Sequence, residues 1–422
     1  MSIASKRTCL RLCLLALFFP LAAFAQTARP EAVGMSSERL NRVNEMVGRY
    51  IASGEITGAV TLVARSGRIV HLQAHGVMDA ESKKPMQKDT IFRIASMSKP
   101  VAGVAILMLV EEGKVRLSDP VSRFIPSFKD LKVAMTLPAR PSGSAAGPPG
   151  PLIPPEPYTV PADREITILD LMTHTSGLLS GPASNATAGK AFAERRTLGL
   201  KYVESLGSSQ LEFQPGTRWA YSAVAGFDVL SRVVEIASGM SFKDFVNERI
   251  FKPIGAKEIF FWPTAAQRER LVTSYTSGPK GLIPRENPDA MSSEVYFSGA
   301  GGLMSTAESY ARFAMLLANG GELNGVRLLA PRTVELMGAA YIPDTLPGRS
   351  PGEGYGLSVR TVTDPVARRT TISKGSFGWS GAYGTFFWVD PEKRIVGVLM
   401  VQTPVTPMWA DFENAVMQAV ID

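Results

Sequence analysis

The 422-residue chain carries 45 Lys and Arg against 38 Asp and Glu, a net charge of +7, with 45% hydrophobic residues, three His and two Cys. Both cysteines, Cys9 and Cys13, fall at the extreme N-terminus, so the rest of the chain cannot build a disulfide scaffold, a thiol nucleophile or a Cys-based zinc site. No dense basic run is interleaved with aromatic residues, so the positive charge gives nucleic-acid binding no support.

The first 25 residues read as a targeting segment. Lys6, Arg7 and Arg11 precede an apolar stretch from Leu12 to Phe24, and Ala23-Phe24-Ala25 is an A-x-A cleavage signal before Gln26. This pattern is a secretory signal peptide, too short and wrongly flanked for a membrane span, and it predicts an exported, periplasmic or secreted protein. An uncleaved N-terminal anchor is the alternative. Neither cysteine stands just before the cut, so no lipid-anchored terminus is indicated. Cleavage removes three cations and leaves 397 residues at a net charge of +4, long enough for two or three domains or one composite fold. No other apolar stretch reaches membrane-spanning length.

Leu40, Val43, Val47 and Ile51 recur at helical spacing and predict an amphipathic helix over 37–53. Two β-rich runs follow, Ala59–Ala64 and Ile69–His75, with Ser66-Gly67 as the hairpin turn between them. After Ser96 comes a helix apolar nearly all round, through Val104, Ile106, Leu107, Leu109 and Val110, closed by Gly113. Residues 137–161 hold nine prolines and three glycines, which predicts a surface loop of polyproline character, a loop or lid insertion. Helical patterns occupy 167–179, 192–206, 223–237, 241–250 and 305–317. Strand patterns return at 384–389 and 395–401 around the Asp390-Pro391 turn, and a last helix runs over 409–420.

Ser96-Met97-Ser98-Lys99 is the first candidate for chemistry. A serine hydroxyl is a weak nucleophile until a base takes its proton. At a helix start, residues i and i+3 share a face, so Lys99 can point at Ser96. A lysine serves as base when neutral, a state that burial favours. S-x-x-K alone is weak: a helix-capping serine beside a solvated lysine gives the same string. A second match, Ser277-Gly278-Pro279-Lys280, has Gly and Pro where a helix would be needed. Gly348-Arg349-Ser350-Pro351-Gly352 matches the G-x-S-x-G nucleophile elbow, but prolines and glycines replace the flanking strand and helix that the elbow requires. His71, His75 and His174 offer no metal-ligand spacing, and no metal or organic cofactor is expected.

Ile94-Ala95-Ser96-Met97-Ser98-Lys99-Pro100 resembles the nucleophile region of class C β-lactamases, penicillin-binding proteins and family VIII carboxylesterases. Leu171-Met172-Thr173-His174-Thr175-Ser176-Gly177-Leu178 resembles that superfamily's helix-end signature, and Pro215-Gly216-Thr217-Arg218-Trp219-Ala220-Tyr221-Ser222 its tyrosine motif. Ser298–Thr306 and Gly378-Trp379-Ser380-Gly381-Ala382-Tyr383-Gly384 are similar to later segments in the same order, so the resemblance covers nearly all of the chain from about Val33.

The resemblance implies a β-lactamase/transpeptidase-like fold: an antiparallel sheet flanked by helices, with an inserted helical domain. Residues 26–114 and 291–422 would form an α/β domain from both chain ends, and 115–290 the helical domain carrying the 137–161 insertion. It also implies Ser96 as nucleophile, Lys99 and Tyr221 as proton-transfer partners, the amides of Ser96 and Ala382 as the oxyanion hole, and His174 in a structural role, with a Ser-His-Asp triad the alternative.

Two departures bear on substrate. Ala223 stands where β-lactamases and peptidases carry asparagine, and Trp379-Ser380-Gly381 matches the Trp-x-Gly of family esterases where β-lactamases carry Lys-Thr-Gly. Trp379, Ser380, Gly381 and Ala223 are thus the candidate substrate contacts, and the missing lysine favours neutral, short-chain carboxylic esters over anionic β-lactams. Lys374, just upstream, could restore a cation. A β-lactamase or D-Ala-type peptidase is the alternative enzyme, and a non-catalytic penicillin-binding sensor the alternative of another class. The expected partner is a small-molecule ester.

Overall fold

The computed structural model describes residues 27–422 except 138–139, 142–151, 154–155, 287–288 and 290. The expected signal peptide and most of the proline-rich insertion lie outside the described residues.

A seven-stranded antiparallel sheet organises the molecule. Its strands are β1 (Gly58–Arg65), β2 (Arg68–Gly76), β3 (Glu353–Tyr355), β4 (Arg360–Val362), β5 (Phe377–Ser380), β6 (Phe386–Asp390) and β7 (Ile395–Met400), in the spatial order β3-β4-β5-β6-β7-β1-β2. The first hairpin turns through Ser66 and Gly67, at φ 50° and 75°, the paired left-handed turn whose twist matches that of the flanking strands. β1 pairs with β7 from Val60 opposite Met400 to Arg65 opposite Ile395, which joins the early hairpin to the late strands.

Side chains alternate across the sheet. Ala59, Val63, Phe386, Trp388 and Leu399 face helices α1 (Arg42–Ala52) and α5 (Pro407–Met417). Val60, Leu62, Phe387, Val398 and Met400 join the larger core with α2 (Lys99–Glu111) and α4 (Ala307–Ala318). Helices cover both faces, so β1 and β7 are buried at every position; β7 reads in sequence as a continuous apolar run, and β1 as one interrupted by Thr61 and closed by Arg65. A fifth long helix, α3 (Ala225–Ser238), packs against α2 from the middle of the chain.

Three expectations need correction. The helix expected over 167–179 is one turn and a half, Ile168–Met172; positive φ at His174, Gly177 and Leu179 ends it and coils the following segment. The expected loop 137–161 is flanked by a ladder: strand Lys132–Leu137 pairs antiparallel with Glu156–Pro161, and inside it Arg140–Pro141 pairs with Leu152–Ile153. Pro157 and Pro161 are tolerated because Glu156–Pro161 is an edge strand of its three-stranded sheet. The helix expected over 192–206 is split into an α-helix, Gly189–Leu198, and a 3-10 segment, Gly199–Ser208, broken at Gly199.

Candidate active site

Ser96 lies in a 3-10 turn, Ala95–Ser98, between the short strand Phe92–Arg93 and α2. The chain enters this turn through Ala95 at φ 44°, a left-handed conformation that costs an alanine roughly 1–2 kcal/mol. Ser96 is thereby left half-buried at a cavity wall while Met97, Ser98 and Lys99 turn into the core. Ser98 is structural, its Oγ accepting from the Leu303 amide at 3.1 Å.

Lys99 is fully buried, and its Nζ has three oxygen neighbours: the Ala223 carbonyl at 2.7 Å, the Ala300 carbonyl at 2.8 Å and Ser96 Oγ at 3.1 Å. Two carbonyls engage two N–H bonds and leave the third direction facing the serine. Tyr221 Oη donates to Ser96 Oγ at 2.7 Å. Burial raises the Tyr221 pKa, but the Lys99 charge beside it and hydrogen bonds with Ser96, Lys99 and Trp379 outweigh this and hold it below the ordinary phenol value.

The coiled segment after Ile168–Met172 holds the tyrosine motif. Its Thr175 and His174 carbonyls accept from the Gly216 and Ala220 amides, at 2.8 and 3.1 Å, and the Ser222 amide donates to His174 Nδ1 at 3.3 Å. His174 is buried among Trp219, Tyr221, Phe227 and Trp379, and its Nε2 has no hydrogen-bond partner among the described residues. Burial, then the Lys99 charge, hold His174 well below the usual histidine pKa. Neither ring nitrogen bonds to Ser96 or to a carboxylate, so the geometry is that of a packing residue and not of a triad base.

A buried carboxylate that sequence reasoning missed braces the other side. Asp228, on α3, accepts from Tyr202 (2.7 Å), Tyr296 (2.5 Å) and Ser298 (2.6 Å), and Ser298 Oγ accepts from the Ala300 amide at 3.2 Å. This fixes the loop whose carbonyl meets Lys99. Nothing local in the sequence marks Asp228, because its partners lie 26 to 70 residues away.

A cavity of about 350 Å³ opens beside Ser96, within the range of small-ligand sites. Tyr221, Trp379, Ser380, Gly381 and Ala382 line it, joined by Trp219, Tyr355, Arg360 and Trp409, none of which the sequence reading singled out. Gly381 passes so close to Ile94 that a Cβ there would collide with the Ile94 carbonyl and Thr385 Oγ1. Ala382 lies beyond the end of β5, in a turn closed by the Gly384 amide on the Gly381 carbonyl at 2.9 Å, and its own amide has no partner among the described residues.

Two candidate contacts are placed differently from expectation. Ala223 does not line the cavity; its side chain is exposed and its carbonyl holds Lys99. Lys374 is exposed in the turn before β5, outside the cavity. Among the described residues the cation lining the cavity is Arg360, so positive charge reaches it from the strand beside β5 and not from Lys374. Of the decoys, Ser350 is exposed in a loop and Ser277-Gly278 belongs to a hairpin.

The profile of the Beta-lactamase family matches residues 43–420. The chain is a member of the β-lactamase family. Protein Rv1367c of Mycobacterium tuberculosis is 34% identical over 367 residues, covering 83% of this chain and 86% of its own length. Esterase EstB of Burkholderia gladioli is 29% identical over 423 residues, covering 94% and 99%. Among solved structures, EstCE1, described as a hydrolase with promiscuous acyltransferase activity, superposes with a TM-score of 0.73 at 26% identity, covering 90% of this chain and 99% of its own. This member of the family is a serine hydrolase of the β-lactamase fold, and no described helix is long and apolar enough to cross a membrane.

Proposed function

We propose that the chain is a carboxylesterase of the family VIII type that cleaves short-chain esters through a Ser96 acyl-enzyme. The observation that carries this reading is the placement of Ser96 Oγ 3.1 Å from Lys99 Nζ and 2.7 Å from Tyr221 Oη at the wall of a cavity rich in aromatic side chains. The esterase relatives support it, as do the missing asparagine at 223 and the missing lysine at 379.

Lys99 Nζ and Tyr221 Oη both stand within hydrogen-bond reach of Ser96 Oγ and together accept its proton. Oγ attacks the ester carbonyl as its proton passes to this pair. The carbonyl oxygen, now an oxyanion, sits between the Ser96 and Ala382 amides, where a donor of this kind contributes about 3–4 kcal/mol to the barrier. Tyr221 lines the cavity and Lys99 does not, so Tyr221 is the group that hands the proton to the departing alcohol. Water then attacks the acyl-enzyme by the reverse proton path. Trp379, Ser380 and Gly381 form the wall along which uncharged groups next to the ester lie. The exported, periplasmic or secreted location rests on the residue pattern of the first 25 positions, and a mature N-terminus at Gln26, read by mass spectrometry, is its test.

Initial rates on p-nitrophenyl acetate and butyrate beside nitrocefin test the function. The esters are expected to show the higher kcat/KM and Ser96→Ala to abolish their turnover. Full ester activity in Ser96→Ala, or a nitrocefin kcat/KM above that of every short ester, sinks the reading. An acyl adduct that persists without turnover points instead to a sensor.

A further inference from the structure

Among the described residues that line the cavity, Arg360 is the one charged residue, and the other walls are aromatic side chains and small groups. It opens β4, opposite Tyr355 on β3 and Gly378 on β5. Trp219 stacks on Tyr355 at 4.2 Å, with the two rings 22° apart, so the rim around the arginine is packed and rigid.

The arginine is incompletely matched. Its ion-pair partner is Glu353, at 3.4 Å, and Glu353 also faces Arg368 at 3.2 Å. The Arg360 guanidinium makes no hydrogen bond among the described residues, and about a quarter of its side chain is exposed. A planar fork of free N–H donors suits a carboxylate, which it can hold by two parallel hydrogen bonds. Aromatic walls exclude the water that would screen the attraction.

We propose that Arg360 forms a carboxylate-binding subsite, so that the preferred substrates are esters carrying a second, ionised carboxyl group away from the scissile bond. The inference rests on the esterase reading. It replaces a preference for wholly neutral substrates with one for esters that are uncharged beside Ser96 and anionic at the far end. The carboxylate can come from the acyl side, as in a monoester of a short dicarboxylic acid, or from the alcohol side.

Two matched pairs of esters separate these sources. On the acyl side, 4-nitrophenyl hydrogen glutarate is compared with 4-nitrophenyl methyl glutarate. On the alcohol side, 3-carboxyphenyl butyrate is compared with 3-carbamoylphenyl butyrate. In the unmodified protein the anionic member of at least one pair is expected to have at least tenfold higher kcat/KM, and Arg360→Gln is expected to lower that preference tenfold or more. A preference below tenfold in both pairs, or one that Arg360→Gln lowers by less than tenfold, overturns the proposal. Should Arg360→Gln fail to fold, Arg360→Lys keeps a charge for Glu353 but lacks the fork; a preference lowered at least threefold supports the subsite and a smaller change overturns it. Absence of turnover on all four esters refutes the esterase reading itself, an outcome distinct from equal turnover of both members of each pair.

Discussion

At the residue scale, the site is a set of short polar contacts around one hydroxyl. Lys99→Met and Tyr221→Phe should each lower kcat on p-nitrophenyl esters by about 10²–10⁴, the span associated with a positioned acid–base group. Near-native rates in either variant would remove that residue from the mechanism. Tyr221 must be deprotonated to accept the proton, so activity should rise with pH as its phenol titrates. The Lys99 charge holds Tyr221 below its ordinary value, so that rise should fall below pH 10, and a rate profile recorded from pH 6 to 10 checks it. Ser350→Ala, in an exposed loop, should change nothing. Ser96, Lys99 and Tyr221 were legible because i,i+3 spacing and ordered motifs survive in the string. Arg360 and Asp228 were not, because each meets the site across strand pairing or helix packing between distant segments.

At the element scale, the segment after Ile168–Met172 shows how a short helix can matter more than a long one. Thr167 caps it reciprocally with Asp170, and Asp170 is also clasped by Arg164 through two contacts, at 2.6 and 2.9 Å. Burial raises the Asp170 pKa, but hydrogen bonds from Arg164 and Thr167 outweigh it and hold the carboxyl below its usual range. Thr175, in the coil that carries His174, also donates to Asp170 at 3.2 Å. Asp170→Ala should cost about 2 kcal/mol, since it strips a helix cap and the pairing of a buried carboxylate with a half-exposed arginine together. It should also lower kcat, because the carbonyls that hold the Tyr221 motif loosen. Urea unfolding and ester rates on the same preparation check both, and an unchanged midpoint would contradict the account. Periodicity predicted a longer helix here because apolar spacing continues to Leu179; the positive φ values that stop it depend on contacts with residues 211–222.

At the scale of the whole molecule, the three histidines make the fold sensitive to acid. His71 is pushed down to about 3 by burial and by the charges of His75 and Lys88, burial lowers His75, and His174 lies well below its ordinary value. An unfolded chain protonates its histidines near pH 6.5. Below that pH the unfolded state binds protons that the folded state refuses. The stabilisation is therefore complete above about pH 6.5 and is lost as pH falls below it, for His71 down to about 3, at up to about 1.4 kcal/mol per pH unit for that histidine. The urea midpoint should hold steady from pH 7 to 8.5 and decline below 6.5, with a shallower decline in His71→Gln. A midpoint constant down to pH 4.5 would refute this.

The sequence by itself determined the local elements and the order of the motifs: the Ser66-Gly67 hairpin, the all-apolar helix after Ser96, the serine–lysine turn and the β-lactamase-like fold. These depend on neighbours within a few residues, or on a pattern repeated along the chain. Only the tertiary structure decided that a seven-stranded sheet has both faces covered, that two distant carbonyls clamp Lys99, and that Arg360, not Lys374, brings positive charge into the cavity. Those facts arise from register between strands some 300 residues apart and from helices packed across them, and no local spacing in a single sequence encodes which distant backbone atom will face a given side chain.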